Sequence, residues 1–152
     1  MADDDPTALF ERMYVAAAGG EDAVPWDRGA PHPLLEPWAR ELDGVGRRAL
    51  VVGSGLGADA ELLAARGFDV VGFDASPTAI ALTRERFPGS GVDYRVADLL
   101  DPPAEWTRGF DLVVEVLTVQ SLPIAYHAPA TANIARTVAP GGVLLVIATA
   151  RA

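Results

Sequence analysis

The chain has 152 residues, about the size of one ordinary domain, and half of them are hydrophobic, enough for a core. Its formal net charge of -9 disfavours a phosphate backbone as partner, which speaks against nucleic acid. It has no cysteine, and all twelve basic residues are arginine; this excludes disulfides, thiolate nucleophiles, Schiff-base lysines and the lysine of a P-loop.

The N-terminal stretch, MADDDPTALFER, is acidic where a secretory signal is basic and then apolar. No run approaches the roughly 20 apolar residues of a membrane helix. The expectation is a cytoplasmic chain without membrane contact. Asp5-Pro6 opens a short helix, with Asp5 as its cap. Leu9, Phe10, Met13, Tyr14 and Ala17 recur along it at helical spacing, up to Gly19-Gly20. Residues 21–32 read as loop, and a second helix is predicted over 33–42.

From there apolar runs alternate with helical segments. Strands are predicted at 49–53, 69–73, 92–96, 110–116 and 143–148. Helices are predicted at 57–66, from Ser76-Pro77 to about Phe87, and within 125–138, the last ended by Ala139-Pro140-Gly141-Gly142. Strands that read as continuous apolar runs belong to parallel sheets covered on both faces. The fold class is therefore α/β, a doubly wound, Rossmann-like and mostly parallel sheet.

The first candidate motif is ValValGlySerGlyLeuGlyAlaAsp, 51–59, placed where a strand gives way to a helix. Gly53 and Gly55 allow a tight turn and close approach of backbone to a ligand. Amides at the helix start suit an anionic group; otherwise the loop only connects two elements. Asp74 follows about 20 residues on, at the end of the next strand, where a carboxylate can accept both ribose hydroxyls of an adenosine ligand. Its alternative is a cap for the next helix, a role Ser76 fills better. Asp98, after the third strand, can accept from an adenine amino group with Leu99 packed nearby, or simply serve a turn. Gly53, Gly55 and Ala58 also satisfy a dinucleotide G-x-G-x-x-A pattern. The extra Gly57 and the two helices before the first strand favour S-adenosylmethionine.

The ordered series Gly53-Ser54-Gly55-Leu56-Gly57, Asp74, Asp98-Leu99, PheAspLeuValValGluVal (110–116) and AlaProGlyGlyValLeuLeuVal (139–146) resembles the motifs of class I S-adenosylmethionine-dependent methyltransferases. The resemblance covers roughly 47–149. It implies a glycine loop facing the methionyl part of the cofactor, an acid on the ribose and an acid on the adenine. Upstream, ProTrpAspArgGlyAlaProHisProLeuLeu (25–35) is similar to a stretch of the thiopurine, thiol and halide methyltransferase group, where it folds over the cofactor. That makes Trp26 an aromatic wall near the sulfonium, or else ordinary packing. The residues expected at the cofactor are Trp26, Gly53, Ser54, Gly55, Gly57, Asp74, Ala75, Asp98, Leu99 and Glu115. Gln120, Tyr126 and His127 are expected on the acceptor side.

Glu115 sits at the end of the fourth strand, on the rim where parallel sheets bind ligands. It could bind the cofactor amine, orient an acceptor, or pair with a cation of the protein. Tyr126 and His127 could equally be surface residues at a helix start. With two histidines and no cysteine, no metal site is expected. The division expected is a helical cap or lid over 1–46 and a cofactor-binding domain over 47–152. The latter lacks the C-terminal strands of the full family fold, leaving an apolar edge that could support a homodimer. The function expected is methyl transfer to a small molecule, with a thiol or another soft nucleophile as the candidate acceptor. The alternatives are a non-catalytic S-adenosylmethionine-binding module and a nicotinamide dinucleotide-binding domain.

Overall fold

Every strand of the sheet runs parallel to its neighbours, in the order β3-β2-β1-β4-β5. This is a computed structural model, and it describes residues 5–19 and 29–150. In chain order the elements are α1 (Ala8–Ala18), α2 (Leu35–Arg40), β1 (Arg48–Val52), α3 (Ala58–Ala65), β2 (Asp69–Asp74), α4 (Pro77–Arg86), β3 (Asp93–Val96), β4 (Phe110–Val116), α5 (His127–Thr137) and β5 (Val138–Ile147). The chain builds outward from β1 to β3, then returns to the other side of β1 for β4. That reversal opens a crevice at the carboxyl ends of β1 and β4, the place where such sheets hold ligands.

Alternation along the strands divides the core into two layers. Ala49 and Val51 face one side with Leu63, Ile80 and Val114, beneath α2, α3 and α4. Leu50 and Val52 face the other with Phe73, Trp106, Val113 and Ile134, beneath α5. Each fully buried Leu, Ile or Phe contributes about 1.5–3 kcal/mol relative to exposure, so both layers are needed to hold the strands flat against their helices. Phe110, wholly buried, meets Trp106 edge-on at 6.4 Å, and the Arg48 guanidinium covers its ring at 4.6 Å.

Three local outcomes differ from the sequence reading. Asp5 does not cap α1 directly. Its carboxylate accepts from the Thr7 amide and hydroxyl at 2.9 and 2.7 Å, and the helix starts at Ala8. Leu9 is exposed while Tyr14 is buried, so the packed face of α1 runs through Phe10 and Tyr14. The segment Ala139-Pro140-Gly141-Gly142 does not precede the fifth strand but belongs to it. Val138 pairs Phe110 and Val143 pairs Leu112, so the extra residues bulge out of β5. An edge strand tolerates this because Pro140 has a free side, and Gly141 takes the bend at φ 76°.

Candidate functional site

At the end of β1 the chain makes three left-handed glycine steps: Gly53 at φ 61°, Gly55 at 54° and Gly57 at 92°. The positive angles explain the residue type. The space that side chains would need is filled by the protein itself. A Cβ on Gly53 would meet Thr118 Oγ1 at 2.5 Å, and one on Gly57 would meet Thr83 Cγ2 at 2.6 Å and the Tyr94 hydroxyl at 2.7 Å. Thr83 also donates its hydroxyl to the Gly55 carbonyl at 2.9 Å, tying α4 to the loop. The loop amides are partly spent internally: Ser54 donates to the Phe73 carbonyl and Gly57 to that of Ser54. The Ser54 hydroxyl, on a residue only 8 % exposed, has no partner.

Asp74 closes β2 beside this loop. One carboxylate oxygen accepts from the Gly55 amide and the other from the Ser76 amide, each at 3.0 Å. Burial pushes its carboxyl above the ordinary carboxylate value. The two amides oppose that shift, and the charge of Glu11 adds to it. Glu11, on α1, accepts from the hydroxyls of Ser76 and Thr78 at the start of α4. Asp59, in the first turn of α3, is likewise pushed up by burial and accepts from the His32 amide at 2.8 Å.

A cavity of about 410 Å³ lies over these strand ends. Of the residues expected at the cofactor, Gly53, Ser54, Gly55, Gly57, Asp74, Ala75, Asp98 and Leu99 line it. Asp98 accepts the Leu100 amide at 2.8 Å in a turn, and Asn133 holds the Leu99 carbonyl at 2.9 Å. Gln120 also lines the cavity, while its side-chain oxygen accepts from the Thr149 amide beyond β5. Glu115, Tyr126 and His127 are not among the lining residues. Glu115 accepts the amides of Thr118 and Val119, His127 holds its Nε2 at 2.7 Å from the Leu122 carbonyl, and Tyr126 packs into the second core layer. Trp26 lies outside the described residues.

Some lining residues were not singled out in the sequence. Thr7, Phe10 and Tyr14 bring α1 to the cavity wall, His32 and Asp59 close one end, and Thr118 and Leu122 come from the loop after β4. Phe10 and Tyr14 are spaced four apart on an amphipathic helix, which signals a packed face but not what it packs over.

The family model described as a methyltransferase domain matches residues 50–146, from β1 to β5. The chain belongs to the class I S-adenosylmethionine-dependent methyltransferases. The cofactor of that family is S-adenosylmethionine. The chain is 31 % identical to a 2-heptyl-1-hydroxyquinolin-4(1H)-one methyltransferase of Mycobacteroides abscessus, over 91 % of this methyltransferase chain and 63 % of that protein. It is 36 % identical to a ubiquinone biosynthesis O-methyltransferase of Sinorhizobium medicae, over 79 % of this chain and 48 % of the relative. A solved structure concerning conversion of a disulfide bond into a thioacetal group during echinomycin biosynthesis superposes with a TM-score of 0.75 at 31 % identity, covering 90 % of this chain and 59 % of that one. The chain thus spans between about half and two thirds of the length of these relatives. They lend no support to the likeness of 25–35 to the thiopurine, thiol and halide group.

Proposed function

We propose that this chain binds S-adenosylmethionine in the cavity over β1, β2 and β4 and transfers its methyl group to a small molecule. The observation that carries the reading is the joining of the Gly53–Gly57 loop and Asp74 in one cavity of about 410 Å³, a volume within the range for small ligands. The residues present fit the cofactor. Asp74 stands ready for the ribose hydroxyls, Asp98 and Leu99 flank a place for the adenine, and the unpartnered Ser54 hydroxyl is a donor without an acceptor. When bound, the sulfonium supplies an already activated methyl group, so the protein's task is to align it with an acceptor.

We take the acceptor to be a hydroxyl oxygen. One curated relative is an O-methyltransferase and the other is named for a 1-hydroxyquinolinone; the similar solved structure concerns a disulfide, and none is named for a thiol. Neither Glu115 nor His127 is assigned as the base such an acceptor needs, because neither lines the cavity and both engage backbone groups of the segment after β4. Within the segment up to residue 46 we assign the cap to α1 and the stretch around His32, supported by Thr7, Phe10, Tyr14 and His32 on the cavity wall, while α2 packs on the sheet.

Calorimetry with S-adenosylhomocysteine, followed by transfer of labelled methyl to a panel of hydroxylated aromatics, tests the reading. Tight NADH binding with none for S-adenosylhomocysteine would overturn it, and binding without transfer to any acceptor would reduce it to a cofactor module. We extend the proposal to a homodimer through the outer edge of β5, where Val143 and Val146 are half exposed. Sedimentation of Val146→Lys against the parent chain checks this, with loss of a dimer as the expected result.

A further inference from the structure

We infer that Glu115 is a positioning residue whose carboxylate shapes the cavity wall after β4 through the backbone of Thr118 and Val119. Its geometry stands alone; only its consequence for ligand affinity rests on the cofactor reading above. Glu115 is the penultimate residue of β4, paired in register with Val52 of β1 and Val146 of β5, and is 3 % exposed. A carboxylate so far from water needs donors. One of its oxygens accepts from the Thr118 amide at 2.6 Å and the Val119 amide at 2.8 Å.

Those two bonds close a turn around Leu117, which sits at φ 57°. Non-glycine residues avoid that region, and they persist there only where the surroundings over-determine them. Leu117 is pinned from the other side by its own amide, donated to the Ile147 carbonyl at 2.8 Å. The turn sets Thr118 against the glycine loop. Its hydroxyl reaches the Val52 and Val116 carbonyls at 3.2 and 3.1 Å, and its side chain occupies the space a Cβ on Gly53 would need. Val116, Leu117, Thr118, Gln120, Ser121 and Leu122 then line the cavity, whereas Glu115 does not. A buried acid that supports six lining positions without facing the ligand acts on binding by reach, not by charge.

Two near-isosteric variants separate these alternatives. Glu115→Gln keeps an acceptor oxygen at the same reach and removes the charge. Glu115→Asp keeps the charge and falls one methylene short. Amide exchange in the ligand-free protein is expected to show Thr118 and Val119 equally protected in the parent and Glu115→Gln, and about tenfold or more faster in Glu115→Asp. Affinity for both S-adenosylhomocysteine and 5′-methylthioadenosine, which lacks the amino-acid tail, should fall about tenfold in Glu115→Asp and hold within about threefold in Glu115→Gln. Equal protection in all three proteins would overturn the inference. So would weakened S-adenosylhomocysteine with unchanged 5′-methylthioadenosine in Glu115→Gln, the pattern of a direct ion pair to the tail. If the parent binds neither ligand, the cofactor reading fails, and amide exchange alone still decides the role of Glu115.

Discussion

Asp74 is held by two amides of its own chain, so its orientation does not depend on a ligand. Ribose hydroxyls would donate to the ionised form, and burial raises the pH at which that form is lost. S-Adenosylhomocysteine affinity is therefore expected to decline on acidification, starting above the ordinary carboxylate range. Asp74→Ala should weaken binding by about 1–3 kcal/mol, and Asp74→Asn should flatten its pH profile; calorimetry across pH checks both. The sign for stability is opposite. A folded carboxyl with a raised pKa holds its proton more tightly than the unfolded one, so stability falls as pH rises from about 3.8 through the folded value. Asp74→Asn should remove that slope in urea titrations. The position of Asp74 was legible because its spacing from the glycines and its place at a strand end are local facts. The role of Glu115 was not, because a carboxylate at a strand end reads the same whether it faces a ligand or the next turn's amides. The amides of Thr118 and Val119, brought to the carboxylate by the left-handed Leu117, distinguish the two.

At the scale of elements, the glycines and caps set where strands hand over to helices. Gly57→Ala is expected to be much costlier than Gly89→Ala. Both residues have positive φ, but a Cβ at 57 meets Thr83 and Tyr94 within 3 Å, while one at 89 meets nothing within 4 Å. The second change should cost about 1 kcal/mol of backbone strain and the first clearly more, read as the gap between two melting temperatures. Ser76 caps α4 by accepting the Ala79 amide at 3.0 Å, with Pro77 in the first turn. Ser76→Ala should cost about 1 kcal/mol for the cap and more for the hydroxyl lost to Glu11, measured by denaturant unfolding. This cap was readable from Ser-Pro alone, as were the alternating strands and helices, because apolar runs and helical periods are encoded within each segment. The bulge in β5 was not. Pro-Gly-Gly signals a break in either case, and only pairing with β4 decides whether the strand resumes around it.

Across the whole molecule, the cavity is walled by pieces far apart in sequence, and one long-range tie runs from α1 to α4. Glu11 and Ser76 are 65 residues apart, so no local pattern could reveal their contact. One carboxylate takes the hydroxyls of Ser76 and Thr78 at a helix N-terminus, a place that favours negative charge. The same helix lays Phe10 and Tyr14 along the cavity. Glu11 therefore links α1 to the turn that follows Asp74, and the same charge disfavours ionisation of Asp74. Two effects of Glu11→Ala follow, and they act in opposite directions. Loss of the tie should cost about 1–3 kcal/mol, loosen α1 and speed ligand dissociation. Loss of the charge should lower the pH at which Asp74 protonates. Where Asp74 is ionised in both proteins, the first effect alone is felt and S-adenosylhomocysteine should leave the variant faster. As the pH falls and Asp74 begins to take up its proton, the second partly offsets it, and the affinities of parent and variant should converge. Stopped-flow dissociation across a pH series checks this, and a pH-independent gap would show that Glu11 holds the helix without influencing Asp74.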